Sequence, residues 1–184
     1  MSKRKTILLA VLGTLLLLIL LAWRPWGLFL YHGDGKFSDE LFFYPRYWVG
    51  FADIPLNEEG EHHFHFGGLP NEEMSLILYV KTDQANRGNE NSLTHLPVTL
   101  EAKLTDGKGN VACHAIGRPA DGSRDGIWVL MSGGETGYWH YQCNFVRVSS
   151  FTVYDLMIRV TDVGPQANRV VVTPTLRGGG IELP

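Results

Sequence analysis

Val98-Thr99-Leu100-Glu101-Ala102-Lys103-Leu104-Thr105 alternates without a break. Val98, Leu100, Ala102 and Leu104 are apolar, and Thr99, Glu101, Lys103 and Thr105 between them are polar. Successive side chains of a strand point to opposite faces, so this stretch predicts a strand with one face buried and one wet. Asp106-Gly107-Lys108-Gly109-Asn110 follows, a cluster of turn residues, and then an apolar-rich run at 111–116. Together they read as a hairpin. Further along, Tyr154, Leu156, Ile158 and Val160 alternate with Asp155, Met157, Arg159 and Thr161. Weaker strand patterns lie at 51–56, 61–66, 74–82, 126–131, 139–148 and 169–176. Gly, Pro and Asn clusters separate them: Asn57-Glu58-Glu59-Gly60, Gly67-Gly68-Leu69-Pro70, Gly133-Gly134 and Gly164-Pro165. The Asn-rich stretch 83–96 reads as a mobile surface loop. About nine short strands without sustained helical spacing predict an all-β domain. The expected architecture is an antiparallel β-sandwich of jelly-roll or Greek-key type.

The N-terminal end has a different character. Lys3, Arg4 and Lys5 precede an uncharged run at 6–23, 18 residues built mostly of Leu, Ile, Val and Ala. As a helix it is about 27 Å long, near the hydrocarbon thickness of a bilayer. Arg24 closes the run, and Trp23 and Trp26 flank its end as membrane-interface residues. A cleaved signal peptide has a shorter apolar core and a small-x-small site, which Ala22-Trp23-Arg24-Pro25 does not offer. The expectation is therefore one transmembrane helix, uncleaved. The excess of positive charge before it places residues 1–5 in the cytoplasm and the remainder outside. In this reading residues 24–46 are an aromatic and Gly-rich stalk, and 47–184 are the exported domain.

A chain that is 45% hydrophobic and 19% charged is neither an acidic disordered chain nor a coiled coil. All 19 acidic residues lie beyond residue 25, with 12 of the 16 basic ones, so that part carries 12 − 19 = −7. A nucleic-acid partner is not expected of such a charge. Cys113 and Cys143, 30 residues apart on predicted strands, are a disulfide candidate in an oxidising compartment. Two separate buried thiols are the alternative.

Glu61-His62-His63-Phe64-His65-Phe66 is the most chemically suggestive stretch. Phe64 and Phe66 should face the core, leaving Glu61, His63 and His65 on the outer face. A His-x-His pair on a strand can bind zinc or copper through its imidazoles, provided further ligands come from elsewhere. His114 and His140 are the candidates. Trp128, Tyr138, Trp139 and Tyr141 cluster around Gly133-Gly134, where they form either a binding rim or part of the core. The carboxylate pairs Glu58/Glu59 and Glu72/Glu73 sit in turns and read as solvated charge. No G-x-S-x-G, H-E-x-x-H or phosphate-loop pattern occurs, so neither an enzyme nor a cofactor is expected.

Trp48-Val49-Gly50-Phe51-Ala52-Asp53-Ile54-Pro55-Leu56, Leu76-Ile77-Leu78-Tyr79-Val80-Lys81, Leu96-Pro97-Val98-Thr99-Leu100 and Tyr154-Asp155-Leu156-Met157-Ile158-Arg159-Val160 follow one another at a familiar spacing. Over roughly residues 47–176 the chain resembles the uncharacterised membrane-anchored β-sandwich proteins of Gram-negative bacteria. The Cys pair and the His-rich strand depart from that pattern. The resemblance implies an inner-membrane protein with a periplasmic binding module, of the kind thought to neutralise a secreted antibacterial toxin. The alternatives are an accessory subunit of an envelope assembly, or a metal- or carbohydrate-binding sandwich. Its expected partners are the bilayer, through residues 6–23, and another protein.

Overall fold

The alternating stretch lies inside one wing of a single curled sheet, between two paired neighbours. The structure, a computed structural model, describes residues 5, 7, 11–17, 30–40, 46–81, 93, 95–120, 127–131, 136–165 and 170–178. Thirteen strands form the sheet. In chain order they are β1 (His32–Gly33), β2 (Lys36–Glu40), β3 (Arg46–Gly50), β4 (Ile54–Pro55), β5 (Gly60–Gly67), β6 (Glu73–Lys81) and β7 (Thr99–Asp106). Then come β8 (Val111–Ala120), β9 (Ile127–Met131), β10 (Gly137–Trp139), β11 (Val146–Arg147), β12 (Val153–Thr161) and β13 (Val171–Gly178). The spatial order is β1-β5-β12-β7-β8-β9-β10-β6-β13-β3-β2, with β11 beside β6 and β4 beside β13.

This corrects the expected nine-strand antiparallel sandwich. The chain forms one mixed sheet, curled into a half-barrel. The corner is strand β8. Leu100 through Thr105 of β7 pair antiparallel with Gly117 through Val111 of β8, and then Arg118–Ala120 pair in parallel with Ile127–Val129 of β9. Alternation reports which face a side chain takes but not which strand lies beside it, so it could not foretell this turn. The first wing is β1-β5-β12-β7-β8 and the second runs from β9 to β2. Their inner faces share one core, which includes Phe64, Phe66, Leu100, Leu104, Leu156 and Ile158 from the first wing and Trp128, Tyr138, Leu76, Leu78, Val172 and Leu176 from the second.

Two local departures have physical causes. The pattern at 139–148 is not one strand. Trp139 pairs with Ile77 and Val146 with Met74, seven steps against three, so four extra residues loop out of the ladder. The excursion contains a three-residue 3-10 turn, Tyr141–Cys143, capped by the His140 ring, whose Nδ1 accepts from the Gln142 N–H. Pro174, inside β13, lacks an N–H, yet β13 lies between β6 and β3. Its open side faces the break between β3 and β4, where its carbonyl accepts from the Phe51 N–H at 2.9 Å. A proline is tolerated where no ladder bond is lost.

The segment read as a stalk contributes β1 and β2 to the sheet. Tyr31 and Phe37 pack against the core, and Phe37 stacks on Tyr47 with centroids 5.7 Å apart. Most of the stretch 83–96 lies outside the described residues, although Leu93 and Leu96 are buried.

Among the described residues no helix is long and apolar enough to cross a membrane. That overturns the transmembrane span at 6–23, and with it the single-pass, inner-membrane placement with a periplasmic domain. The described helical stretch 11–17 rises about 10 Å, against about 30 Å of hydrocarbon, and the other residues of the run, residue 7 apart, lie outside the described residues. Trp23, Arg24 and Trp26 lie outside the described residues.

Candidate functional site

Strand β5 shows why its alternation matters. Phe64 and Phe66 are buried and His63 and His65 are exposed. Antiparallel register then sets the neighbours. Asp155 of β12 faces His65, Met157 faces His63, and Arg159 faces Glu61. On the other side of β12, Arg159 faces Glu101 of β7. His114 of β8 lies opposite Lys103, one position along the same outer face from Glu101.

These positions assemble one continuous polar network across four strands. The Asp155 carboxylate lies 3.2 Å from His63 Nδ1 and 2.9 Å from His65 Nδ1. His63 Nε2 lies 2.8 Å from Glu61 Oε1. Arg159 grips Glu61 through Nε at 2.7 Å and Nη2 at 2.6 Å, and reaches Glu101 through Nη1 at 3.0 Å. Glu101 also meets His114 Nε2 at 2.9 Å. The β1 turn abuts this face. The Asp34 N–H donates to the His65 carbonyl at 2.7 Å, and the His65 N–H donates to Asp34 Oδ2 at 2.8 Å. Gly33, at φ +102°, permits that approach, since a Cβ there would lie 2.2 Å from the His65 carbonyl oxygen.

His63 has a carboxylate at each ring nitrogen. Ionised carboxylates only accept, so this geometry favours the doubly protonated, imidazolium form of the ring. The bond to Glu61 first, then that to Asp155, raises the His63 pKa above its ordinary 6.5. His63 in turn, with Arg159 second, holds Glu61 below its ordinary 4.5. A raised histidine pKa contributes stability that is complete below pH 6.5 and is lost as pH rises through the folded value. A lowered carboxylate pKa contributes stability that is present above pH 4.5 and is lost as pH falls through the folded value. Both contributions coexist between about pH 4.5 and 6.5. His63→Gln should therefore lower the melting temperature at pH 5.5 by about 1–3 °C, small because the groups are exposed. At pH 9 the difference should vanish. Thermal melts in chelator-containing buffer check this, and an equal loss at both pH values would contradict it.

The other residues singled out by sequence divide between core and surface. Cys113 and Cys143 are joined as a disulfide that ties β8 to the 3-10 turn. Trp128 and Tyr138 are fully buried and do not line a rim. The Trp128 indole N–H donates to the Leu100 carbonyl at 2.9 Å and the Tyr138 hydroxyl to the Leu93 carbonyl at 2.8 Å. Trp139 is half-buried and Tyr141 exposed. His140 is buried, its ring packed between Trp128 and Tyr141. His114 belongs to the Glu101 end of the network, so neither suggested partner joins His63 and His65. The residue that does is Asp155, which only the β5–β12 register brings beside them. Among the described residues no group of three or more His, Cys, Asp or Glu side chains stands arranged to hold a metal ion. Neither a family model nor a curated protein matches this chain.

Proposed function

We propose that this protein is a non-catalytic binding module that engages another protein through the outer face of the β5-β12-β7-β8 wing. One observation carries the reading: seven side chains, His65, Asp155, His63, Glu61, Arg159, Glu101 and His114, are mutually ordered on an open sheet face. Ordering long side chains on a wet face has an entropic cost. Side chains held in advance lose less freedom when a partner docks. The face itself is near neutral, with three carboxylates against Arg159, Lys103 and, when protonated, His63, while the chain beyond residue 25 carries −7, a field that suits a cationic partner and speeds its capture. A small basic toxin, the partner class implied by the resemblance, fits that chemistry.

The test is photocrosslinking in cells producing the full chain, with the reactive residue at Lys103 or His114 on this face, or at Asp53 between β3 and β4. A discrete adduct from 103 and 114, absent from 53 and abolished by Glu61→Lys with Glu101→Lys, supports the reading. Adducts of equal strength from all three positions, or none from this face, refute it.

A further inference from the structure

We propose that His63, His65 and Asp155 form a binding site for one divalent transition-metal ion of the zinc class, with Glu61 as the outer carboxylate that orients His63. The inference does not rest on the protein partner proposed above.

The donor set is appropriate. Imidazole nitrogens suit zinc and its late first-row neighbours, and a carboxylate completes such sites in many proteins. Geometry adds the stronger argument. Both rings turn the same nitrogen, Nδ1, to the same carboxylate, at 3.2 Å and 2.9 Å. Two donors bound to one tetrahedral ion by bonds of about 2.0–2.1 Å stand about 3.3–3.4 Å apart. Each metal-free hydrogen bond thus holds one imidazole nitrogen within about half an ångström of that separation from an Asp155 oxygen, Oδ1 for His63 and Oδ2 for His65. The ring centroids, 6.4 Å apart, must close by about 1 Å to share an ion. The His65 side chain is 68% exposed and has room to rotate. The three donors do not converge before that rotation.

The remaining nitrogen of His63 supplies a second indication. A metal-bound histidine characteristically donates its other N–H to a carboxylate, which fixes the ring and raises its basicity. His63 Nε2 does so to Glu61 at 2.8 Å, and Arg159 fixes Glu61 from the other side. The open face leaves the fourth coordination position to water.

Full-length protein stripped with EDTA and dialysed would be titrated with Zn²⁺ by calorimetry, and with Co²⁺ by visible absorption. The expected result is one Zn²⁺ per chain with a Kd on the order of 10 µM or below, and a tetrahedral Co²⁺ spectrum. His63→Gln, His65→Gln and Asp155→Asn should each weaken Zn²⁺ by more than tenfold, and Glu61→Gln by about tenfold. His95→Gln, exposed and outside this network, should leave Kd unchanged. Absence of saturable binding below about 100 µM overturns the proposal. So does binding that survives His63→Gln and Asp155→Asn. Ring resonances of His63 and His65 in the unmutated protein give a readout independent of variant folding. If Zn²⁺ shifts other histidines and not these two, the site is wrong.

Discussion

Trp128→Ala is expected to destabilise the protein by about 4–5 kcal/mol, enough to leave a domain of ordinary stability partly unfolded at 37 °C. Truncating a fully buried tryptophan leaves a cavity and loses its transfer free energy, which together cost about 3–5 kcal/mol. A further loss comes from the Leu100 carbonyl, which accepts from the indole N–H at 2.9 Å and would remain buried without that donor. The site amplifies the loss. β9 is held to β8 by a parallel pairing of three residues at the corner of the sheet. The indole reaches from β9 in the second wing to β7 in the first, and its edge meets the His140 ring at 5.4 Å. It is the peg that holds the curl closed. Trp128→Phe keeps an aromatic ring and removes the N–H, so it should cost less than half as much. Urea unfolding of both variants measures the two parts. A loss under about 1 kcal/mol for the alanine variant would show that the corner closes without the indole.

The burial of that tryptophan was not legible in the sequence, for a plain reason. Ile127-Trp128-Val129-Leu130 is apolar at every position, so no polar alternation separates inside from outside. Where alternation was clean it reported faces correctly: Leu100 and Leu104 are buried, and so are Phe64 and Phe66, while His63 and His65 are exposed. β1 and β2 escaped notice because His32–Gly33 is too short for a pattern, and Lys36-Phe37-Ser38-Asp39-Glu40 offers one apolar residue at a sheet edge. The 3-10 excursion after Trp139 depends on a ladder mismatch that one strand's sequence cannot express. The functional face was half visible. Glu61, His63 and His65 lie within five residues of one another. Asp155, Arg159 and Glu101 are brought to them by register, and register comes from the packing of both wings, not from local spacing. The histidine strand therefore suggested metal chemistry without its carboxylate, and Asp155 read only as the polar half of an alternating strand.

Replacing both Cys113 and Cys143 with alanine should cost about 3–4 kcal/mol, the loop-entropy value for a closure of roughly 30 residues. For a chain of this size that corresponds to a fall in melting temperature of roughly 8–14 °C. The bridge has a local task besides the global one. Its two ends are the β8 strand, at the corner of the sheet, and the 3-10 turn in the excursion that leaves the β6 ladder. Backbone hydrogen bonds at that turn are few: the Cys143 N–H to the His140 carbonyl at 3.0 Å and the Asn144 N–H to the Tyr141 carbonyl at 3.2 Å. With so little ladder support, the covalent link joins the bonds that Ser75 of β6 makes to Asn144 and Phe145 in restraining residues 141–145. Hydrogen exchange in the double-alanine variant should therefore accelerate there more than in β7 or β12, where eight paired positions hold the strands together. Both cysteines are buried, so added reductant should act slowly on the folded protein and rapidly once it is unfolded in urea. Uniform acceleration across all strands would assign the bridge a purely global role. A melting temperature unchanged by the double substitution would mean that the sheet's own ladders already hold the turn against β8.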